Sequence, residues 1–225
     1  MQDGGRSRAA PQLVIFDCDG VLVDSEPISN RVLAELLSAE GIPTTPAESR
    51  RAYQGLMLSE VLAAAEASLG RPLREGFLEN YERERDAAFR RELRPVAGAA
   101  QAVERITGAG IAVCVASQGK LAKTRLTLEV TGLEGFFADD ARFSAYAVER
   151  GKPAPDLFLH AAATMGSPPA GCVVVEDTPS GVSAAVAAGM RALGLAADSD
   201  ERALSEAGAE TIPSLAELPG RLGLD

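Results

Sequence analysis

Pro11-Gln12-Leu13-Val14-Ile15-Phe16-Asp17-Cys18-Asp19-Gly20-Val21-Leu22-Val23-Asp24-Ser25-Glu26 runs a short apolar segment straight into a cluster of acids. Leu13–Phe16 is too brief for a helix and has the unbroken apolar character of a strand buried on both faces. Such a strand ordinarily ends in a neutral turn. This one ends in Asp17 and Asp19, two residues apart, so in extended geometry both carboxylates point one way and Cys18 the other. Like charges held that close are costly unless a cation or a reacting group engages them. The end of the strand is therefore a site, and Gly20 suits the sharp turn that must follow it.

Three further apolar runs, 111–116, 172–175 and 191–195, resemble the first. Segments of helical character lie between them at 99–107, 121–130, 156–165 and 180–188. Alternation of this kind predicts βαβ units, hence an α/β fold: a Rossmann-like, doubly wound parallel sheet with helices on both faces. Polar clusters follow three of the runs: Asp17/Asp19, Ser117-Gln118-Gly119 and Glu176-Asp177. Ligands of open α/β sheets sit at the carboxyl ends of the strands, so these clusters should converge on one pocket. Between Ser25 and Arg94 the rhythm breaks. Helices are predicted at 28–39, 59–69 and 73–91, with breaks at Gly41-Ile42-Pro43 and Gly70-Arg71-Pro72 and no strand. The expected organisation is a discontinuous core, 1–25 with 93–225, and a helical cap at 26–92 inserted after the first strand.

The 225 residues allow one large domain or a core with a modest insert. A net charge of −10 argues against non-specific binding to nucleic acid or anionic membrane. Cys18, Cys114 and Cys172 have no metal-type spacing and read as reduced core thiols. Residues 1–10 are polar with no apolar core, unlike a secretory signal, and no stretch approaches the roughly 18 apolar residues of a membrane span. A cytoplasmic, monomeric protein is expected.

Asp17 is placed to be a nucleophile: a carboxylate attacking phosphorus gives an aspartyl-phosphate and divides one hard displacement into two easier ones. Asp19 is placed to protonate the leaving alkoxide and then to activate water. Glu176-Asp177 alone could be a solvated turn or a helix N-cap. Together with the first pair it puts four acids in one pocket, which calls for a cation, and hard carboxylate oxygens favour Mg²⁺. Ser117 reads either as a helix N-cap or, with exposed backbone N–H groups, as part of a phosphate cradle. Lys152 is one of only three lysines against nineteen arginines. It stands in Gly151-Lys152-Pro153-Ala154-Pro155-Asp156, where two prolines stiffen the loop. It is either an ordinary surface lysine or a fixed point charge for a phosphoryl group.

In order and spacing, Asp17/Asp19, Ser117, Lys152 and Glu176-Asp177 resemble the four motifs of the haloacid dehalogenase superfamily, from Leu13 to about Leu195. The wording around Asp17–Glu26, the helical insert, Gly151–Asp156 and Val174-Val175-Glu176-Asp177-Thr178-Pro179-Ser180-Gly181 is similar to the β-phosphoglucomutase-like subfamily, and more loosely to its sugar-phosphate and 6-phosphogluconate phosphatase-like members. The resemblance implies a Mg²⁺ site that uses the Asp19 backbone carbonyl and Asp177, with Glu176 a ligand or a partner behind the ligands. It also implies phosphate binding by Ser117 and Lys152.

Departures from the family's pattern narrow the chemistry. The mutases carry a histidine at the position of Ser29, and cap cations where this chain has Gln54 and Leu58. No lysine occurs in 26–92, which removes a Schiff-base mechanism of the phosphonoacetaldehyde hydrolase kind. Asp19 and the Glu176-Asp177 pair separate the chain from the metal-free dehalogenases. The reading is a Mg²⁺-dependent phosphatase acting on a small phosphomonoester, a sugar or sugar-acid phosphate. A phosphosugar mutase or a non-catalytic phosphate-binding module is the alternative. Cap contacts are expected from Ser29, Asn30, Gln54 and an arginine of the 80–85 run, Arg83 foremost, although that run also reads as a solvated helix face. Asp24 is expected to fix the hinge or a turn rather than to contact substrate, and His160, the sole histidine, to take no part.

Overall fold

A computed structural model describes residues 10–53 and 56–224. Six strands, β1 (Leu13–Phe16), β2 (Ala112–Ser117), β3 (Arg142–Ser144), β4 (Cys172–Glu176), β5 (Arg191–Leu195) and β6 (Glu210–Ile212), form one sheet in the order β3-β2-β1-β4-β5-β6. Every pairing is parallel. Ten helices accompany them among the described residues: α1 (Glu26–Glu40), α2 (Pro46–Tyr53), α3 (Leu58–Leu69), α4 (Phe77–Glu92), α5 (Ala99–Gly108), α6 (Leu121–Thr131), α7 (Asp156–Thr164), α8 (Pro179–Ala187), α9 (Glu201–Glu206) and α10 (Leu218–Arg221). None is long and apolar enough to cross a membrane.

The doubly wound architecture follows from strands that are apolar on both faces. Val14, Phe16, Val113, Val115, Val173 and Val175 pack into one core, and Leu13, Ile15, Cys114, Ala116, Cys172 and Val174 into the other. Alternate residues thus feed opposite layers. All four residues of β1 are fully buried, as a central strand between two layers requires. Cys18 continues the even-numbered set, and all three cysteines are buried free thiols.

β3 and β6 are absent from the sequence reading. Each has three residues, Arg-Phe-Ser and Glu-Thr-Ile, at an edge of the sheet, too short to show a run. α2 is absent as well, because only Ser49 of its eight residues is buried. Its start was nonetheless written locally: Thr45 and Glu48 form a capping box, in which Glu48 Oε2 accepts the Thr45 N–H at 2.8 Å and Thr45 Oγ1 accepts the Glu48 N–H at 3.2 Å. α4 begins at Phe77 rather than at Leu73, after Gly76 in the left-handed region (φ 79°).

Helices α1–α4 leave and rejoin the sheet region at one place. Val23 bridges Pro95, and the Asp24 N–H donates to the Arg94 carbonyl at 3.0 Å. Asp24 thus ties the two crossings together through its backbone.

Phe16 anchors the side of the sheet that carries the acids, meeting Phe137 edge-on at 6.2 Å. Phe16→Ala is predicted to cost about 3–5 kcal/mol of unfolding free energy in urea titration. A loss below about 1 kcal/mol would contradict this account of the core.

Candidate active site

The order of the sheet fixes where the acids meet. From β1 the chain winds outward to β2 and β3, then crosses back to place β4 against the other side of β1. The reversal lies between β1 and β4, and it opens a crevice at their carboxyl ends. Asp17 and Asp19 follow β1 and Asp177 follows β4. Their register is held by the Asp17 N–H donating to the Val175 carbonyl at 2.9 Å. Asp17, Asp19, Lys152, Glu176 and Asp177 line one cavity, which α1 and α4 also border.

Lys152 is buried at the centre of this arrangement. Its ammonium donates to Asp17 Oδ1, to Glu176 Oε1 at 2.6 Å and to the Ala116 carbonyl at 3.0 Å. Three hydrogens thus meet acceptors from the ends of three adjacent strands. Burial alone would lower the affinity of the amine for its proton. Asp17 and Glu176 outweigh burial, and the Lys152 pKa lies above the ordinary lysine value. The other Glu176 oxygen accepts from the Asp177 N–H (3.1 Å), the Thr178 N–H (3.1 Å) and the Thr178 hydroxyl (2.9 Å). Glu176 is therefore fully engaged in holding Lys152 and the first turn of α8.

The remaining acids are unequally compensated. Burial pushes Asp17 up to about 7; Lys152 pulls against it, while Glu176 and Asp19 push with it. Burial works to raise Asp19 too, but Lys123 (Nζ to Oδ1, 2.6 Å), the Ser25 hydroxyl and Arg85 hold it below the usual carboxylate range. Asp177 is raised well above that range by burial, then by Glu176 and Asp17, and its Oδ1 is buried without a hydrogen-bond partner. Six carboxylates and four cations line the cavity among the described residues. The carboxyl groups of the lining therefore outnumber its cations by two.

Two glycines permit this crowding. A Cβ on Gly20 (φ 79°) would lie 2.2 Å from Asp177 Oδ2, and one on Gly181 would lie 1.9 Å from the Glu176 carboxyl carbon.

The other expected residues distribute as follows. Ser117 is buried and does not line the cavity. Its hydroxyl accepts the Gly119 N–H at 3.0 Å and lies 3.5 Å from Asp19 Oδ2, and α6 is not capped by it. Ser29 lines the cavity with a buried hydroxyl that has no partner. Asn30 lines it too, held by Ser49 and the Glu26 carbonyl. Gln54 lies outside the described residues. Arg83 does not line the cavity: its side chain is 68% exposed and pairs with Glu84 and Asn80. Arg85, two positions on, is the arginine that faces inward, and the expectation for Arg83 is corrected accordingly. His160 is exposed and stacks edge-on against Phe143.

Arg85 belongs to the 80–85 run expected to supply a contact, whereas Lys123 and Lys120 are cavity residues that the sequence reading passed over. The rarity of lysine, the signal that singled out Lys152, applies equally to the other two.

A family model for haloacid dehalogenase-like hydrolases matches residues 11–189. The chain belongs to the haloacid dehalogenase-like hydrolases. A 6-phosphogluconate phosphatase of Escherichia coli is 31% identical, the match covering 92% of this chain and 93% of that one. Hexitol phosphatase A of the same organism is 30% identical over 85% and 86%. A haloacid dehalogenase-like protein of Agrobacterium tumefaciens superposes with TM-score 0.78 at 34% identity, covering 94% and 97%. A family hydrolase of Deinococcus radiodurans with bound phosphate and sodium gives 0.78 at 31%, covering 96% and 98%. Within this family the chain is a phosphoric monoester hydrolase.

Gly181→Ala is predicted to displace the Glu176 carboxylate from α8 and cost about 2 kcal/mol or more. Gly135→Ala, where an added Cβ meets nothing within 4 Å, should stay within about 0.5 kcal/mol of the parent. Equal unfolding midpoints for the two variants in urea would refute the close-approach argument.

Proposed function

We propose that this chain is a Mg²⁺-dependent phosphatase that hydrolyses a small sugar or sugar-acid phosphate through an aspartyl-phosphate formed on Asp17. The observation that carries the reading is a buried carboxylate, Asp17, gripped by an equally buried ammonium and facing a second acid, Asp177, with no partner of its own. Folding alone does not call for such an arrangement. The names of the E. coli relatives supply the phosphorylated-carbohydrate class.

Asp17 attacks phosphorus as the bond to the leaving oxygen breaks, and that oxygen takes its proton from Asp19. Water, giving its proton to Asp19, then attacks the aspartyl-phosphate and frees Asp17 and inorganic phosphate. Lys152 fixes Asp17 through Oδ1 and places positive charge beside the transferring group. Lys123 and Ser25 stabilise the carboxylate that Asp19 becomes once its proton has gone to the leaving oxygen, the form that then receives the proton from water. Ser117 acts behind the cavity wall, through Gly119 and Asp19. Helices α1–α4, within the proposed cap 26–92, cover the crevice and keep bulk water from Asp17 and the substrate during the first transfer. At the position of Ser29 the mutases have a histidine, and a short hydroxyl there favours hydrolysis over transfer to a second sugar oxygen.

The residues fit a Mg²⁺ ion. Asp17, Asp177 and the Asp19 backbone carbonyl would hold it, and the orphaned Asp177 Oδ1 is the observation that asks for it. Glu176, committed to Lys152 and Thr178, stands behind these ligands. Among the described residues no three acidic, histidine or cysteine side chains form a ready-made cage. Two carboxylates and a carbonyl leave room for the waters that Mg²⁺ retains. When bound, the ion neutralises charge on the phosphoryl oxygens.

Asp17→Asn is predicted to reduce phosphate release from p-nitrophenyl phosphate by at least roughly a thousandfold, the order lost when a covalent nucleophile is removed; full activity in that variant would sink the mechanism. Asp177→Asn removes a carboxyl group that burial, Glu176 and Asp17 hold well above its ordinary range in spite of Lys152, a cost to the folded state. In chelator its melting temperature should exceed the parent's by about 2 °C or more, and Mg²⁺ should raise the midpoint of the parent but not of the variant. An unchanged response to Mg²⁺ would remove Asp177 from the metal site.

A further inference from the structure

Arg85 sits on the apolar stripe of α4, which is made of Phe77, Tyr81, Arg85, Ala88 and Phe89. It is 7% exposed, and a guanidinium cannot shed its charge on burial. Such a group needs an anion. The partner it has is Asp86, the next residue, whose Oδ1 accepts from Nε at 3.0 Å and from Nη2 at 2.7 Å. Asp86 does not line the cavity, and Nη1 makes no hydrogen bond among the described residues. Tyr81 and Phe89 hold the guanidinium carbon at 5.3 and 5.8 Å from their ring centroids. The cation is thus fixed by stacking while part of its donor edge is left over.

The other cavity cations contrast with it. Lys152 is held by Asp17 and Glu176, Lys123 by Asp19, and Lys120 by Glu82 at 2.7 Å, all of them carboxylates of the cavity itself. Arg85 is the cavity-lining cation whose carboxylate stands outside. Its position is also informative. Lys123, paired with Asp19, lies 6.0 Å from the centroid of the same Phe89 ring that Arg85 approaches. The guanidinium is therefore on the Asp19 side of the cavity, where the leaving group departs, while Lys152 lies on the Asp17 side with the phosphoryl group. Arg85 and Lys123 repel one another there, and both act on Asp19, which is already bonded to Lys123 and Ser25. Among the described residues, the Arg85 donor edge therefore has no hydrogen-bonded anion of its own within the cavity.

We propose that Arg85 is a specificity-determining residue that binds a second anionic group, a carboxylate or a phosphate, on the leaving group of the substrate. This rests on the phosphatase reading and narrows it to phosphomonoesters that carry a second negative charge. A charge-assisted pair with a buried guanidinium is worth about ten- to a hundredfold in discrimination.

Three probes with a primary phosphate ester test it: 6-phosphogluconate with a carboxylate, glucose 1,6-bisphosphate with a second phosphate, and sorbitol 6-phosphate with neither. With Mg²⁺ present, kcat/KM for at least one of the first two should exceed that for the third by about tenfold or more, and the favoured one identifies the anion. Arg85→Gln should bring that ratio to within about twofold of one, and Arg85→Lys should retain part of it. A merely structural role for Arg85 would lower all three rates together and leave the ratio unchanged. A parent enzyme without preference for either anionic probe, or an Arg85→Gln enzyme that keeps the parent's ratio, overturns the proposal and leaves the phosphatase reading standing. A failed Arg85→Gln fold does not protect it, because the parent's preference and the Arg85→Lys ratio are read independently. Failure of all three probes to release phosphate overturns both readings.

Discussion

One ammonium group gathers the carboxyl ends of three strands. Lys152 reaches Asp17 beyond β1, Ala116 in β2 and Glu176 at the end of β4, so every hydrogen it carries is committed where the sheet's winding reverses. Two carboxylates and an ammonium removed from water carry a desolvation cost of several kcal/mol per ion. The geometry offsets part of it, because Glu176 also accepts three bonds from Asp177 and Thr178. The rest shows as a displaced Asp17, driven up to about 7 by burial in spite of its partner. The residual strain is electrostatic and local, and it sits on the carboxyl group proposed to attack phosphorus.

The carboxylates around this ammonium have different fates because each has a different set of neighbours. Glu176 is satisfied and acts as scaffold. Asp19 is satisfied from the opposite wall, by Lys123 and Ser25. Asp17 is half satisfied, and Asp177 has an oxygen with no partner. A divalent cation placed against the last two completes the balance without disturbing the first two. Backbone shape contributes as much as charge: Gly20 and Gly181 leave space that the Asp177 and Glu176 carboxylates occupy at distances no Cβ would tolerate.

The central strands and their acids were legible because they violate the ordinary pattern. A fully buried run ending in two carboxylates has no structural reason to exist, and breaks of that kind mark function. The edges were not legible. β3 and β6 are short strands completed by a neighbour already in place, so tertiary context rather than local pattern makes them. The choice between Arg83 and Arg85 turned on helical phase. Two residues are about 200° apart around a helix, so one faces the cavity and the other the solvent. Charges on all sides of Asn80-Tyr81-Glu82-Arg83-Glu84-Arg85 hid the stripe. Tyr81 and Phe89, four residues to either side of Arg85, carried the missing signal: an arginine at that phase stands where an apolar residue is expected.

Chemistry and selectivity consequently rest on different parts of the molecule and on different physical terms. The reacting acids are fixed by strand register and by one shared ammonium, and little freedom is left there: a shift in β1, β4 or Gly181 moves several of them together. Arg85 belongs to a helix that joins the sheet through the crossings at 23–24 and 94–95, and its guanidinium is held by two rings of its own helix. Exchanging it alters the charge opposite the leaving group without touching the three-strand ammonium bridge. A fold built this way can keep one phosphoryl-transfer centre while the helical segment above it changes which alcohol departs.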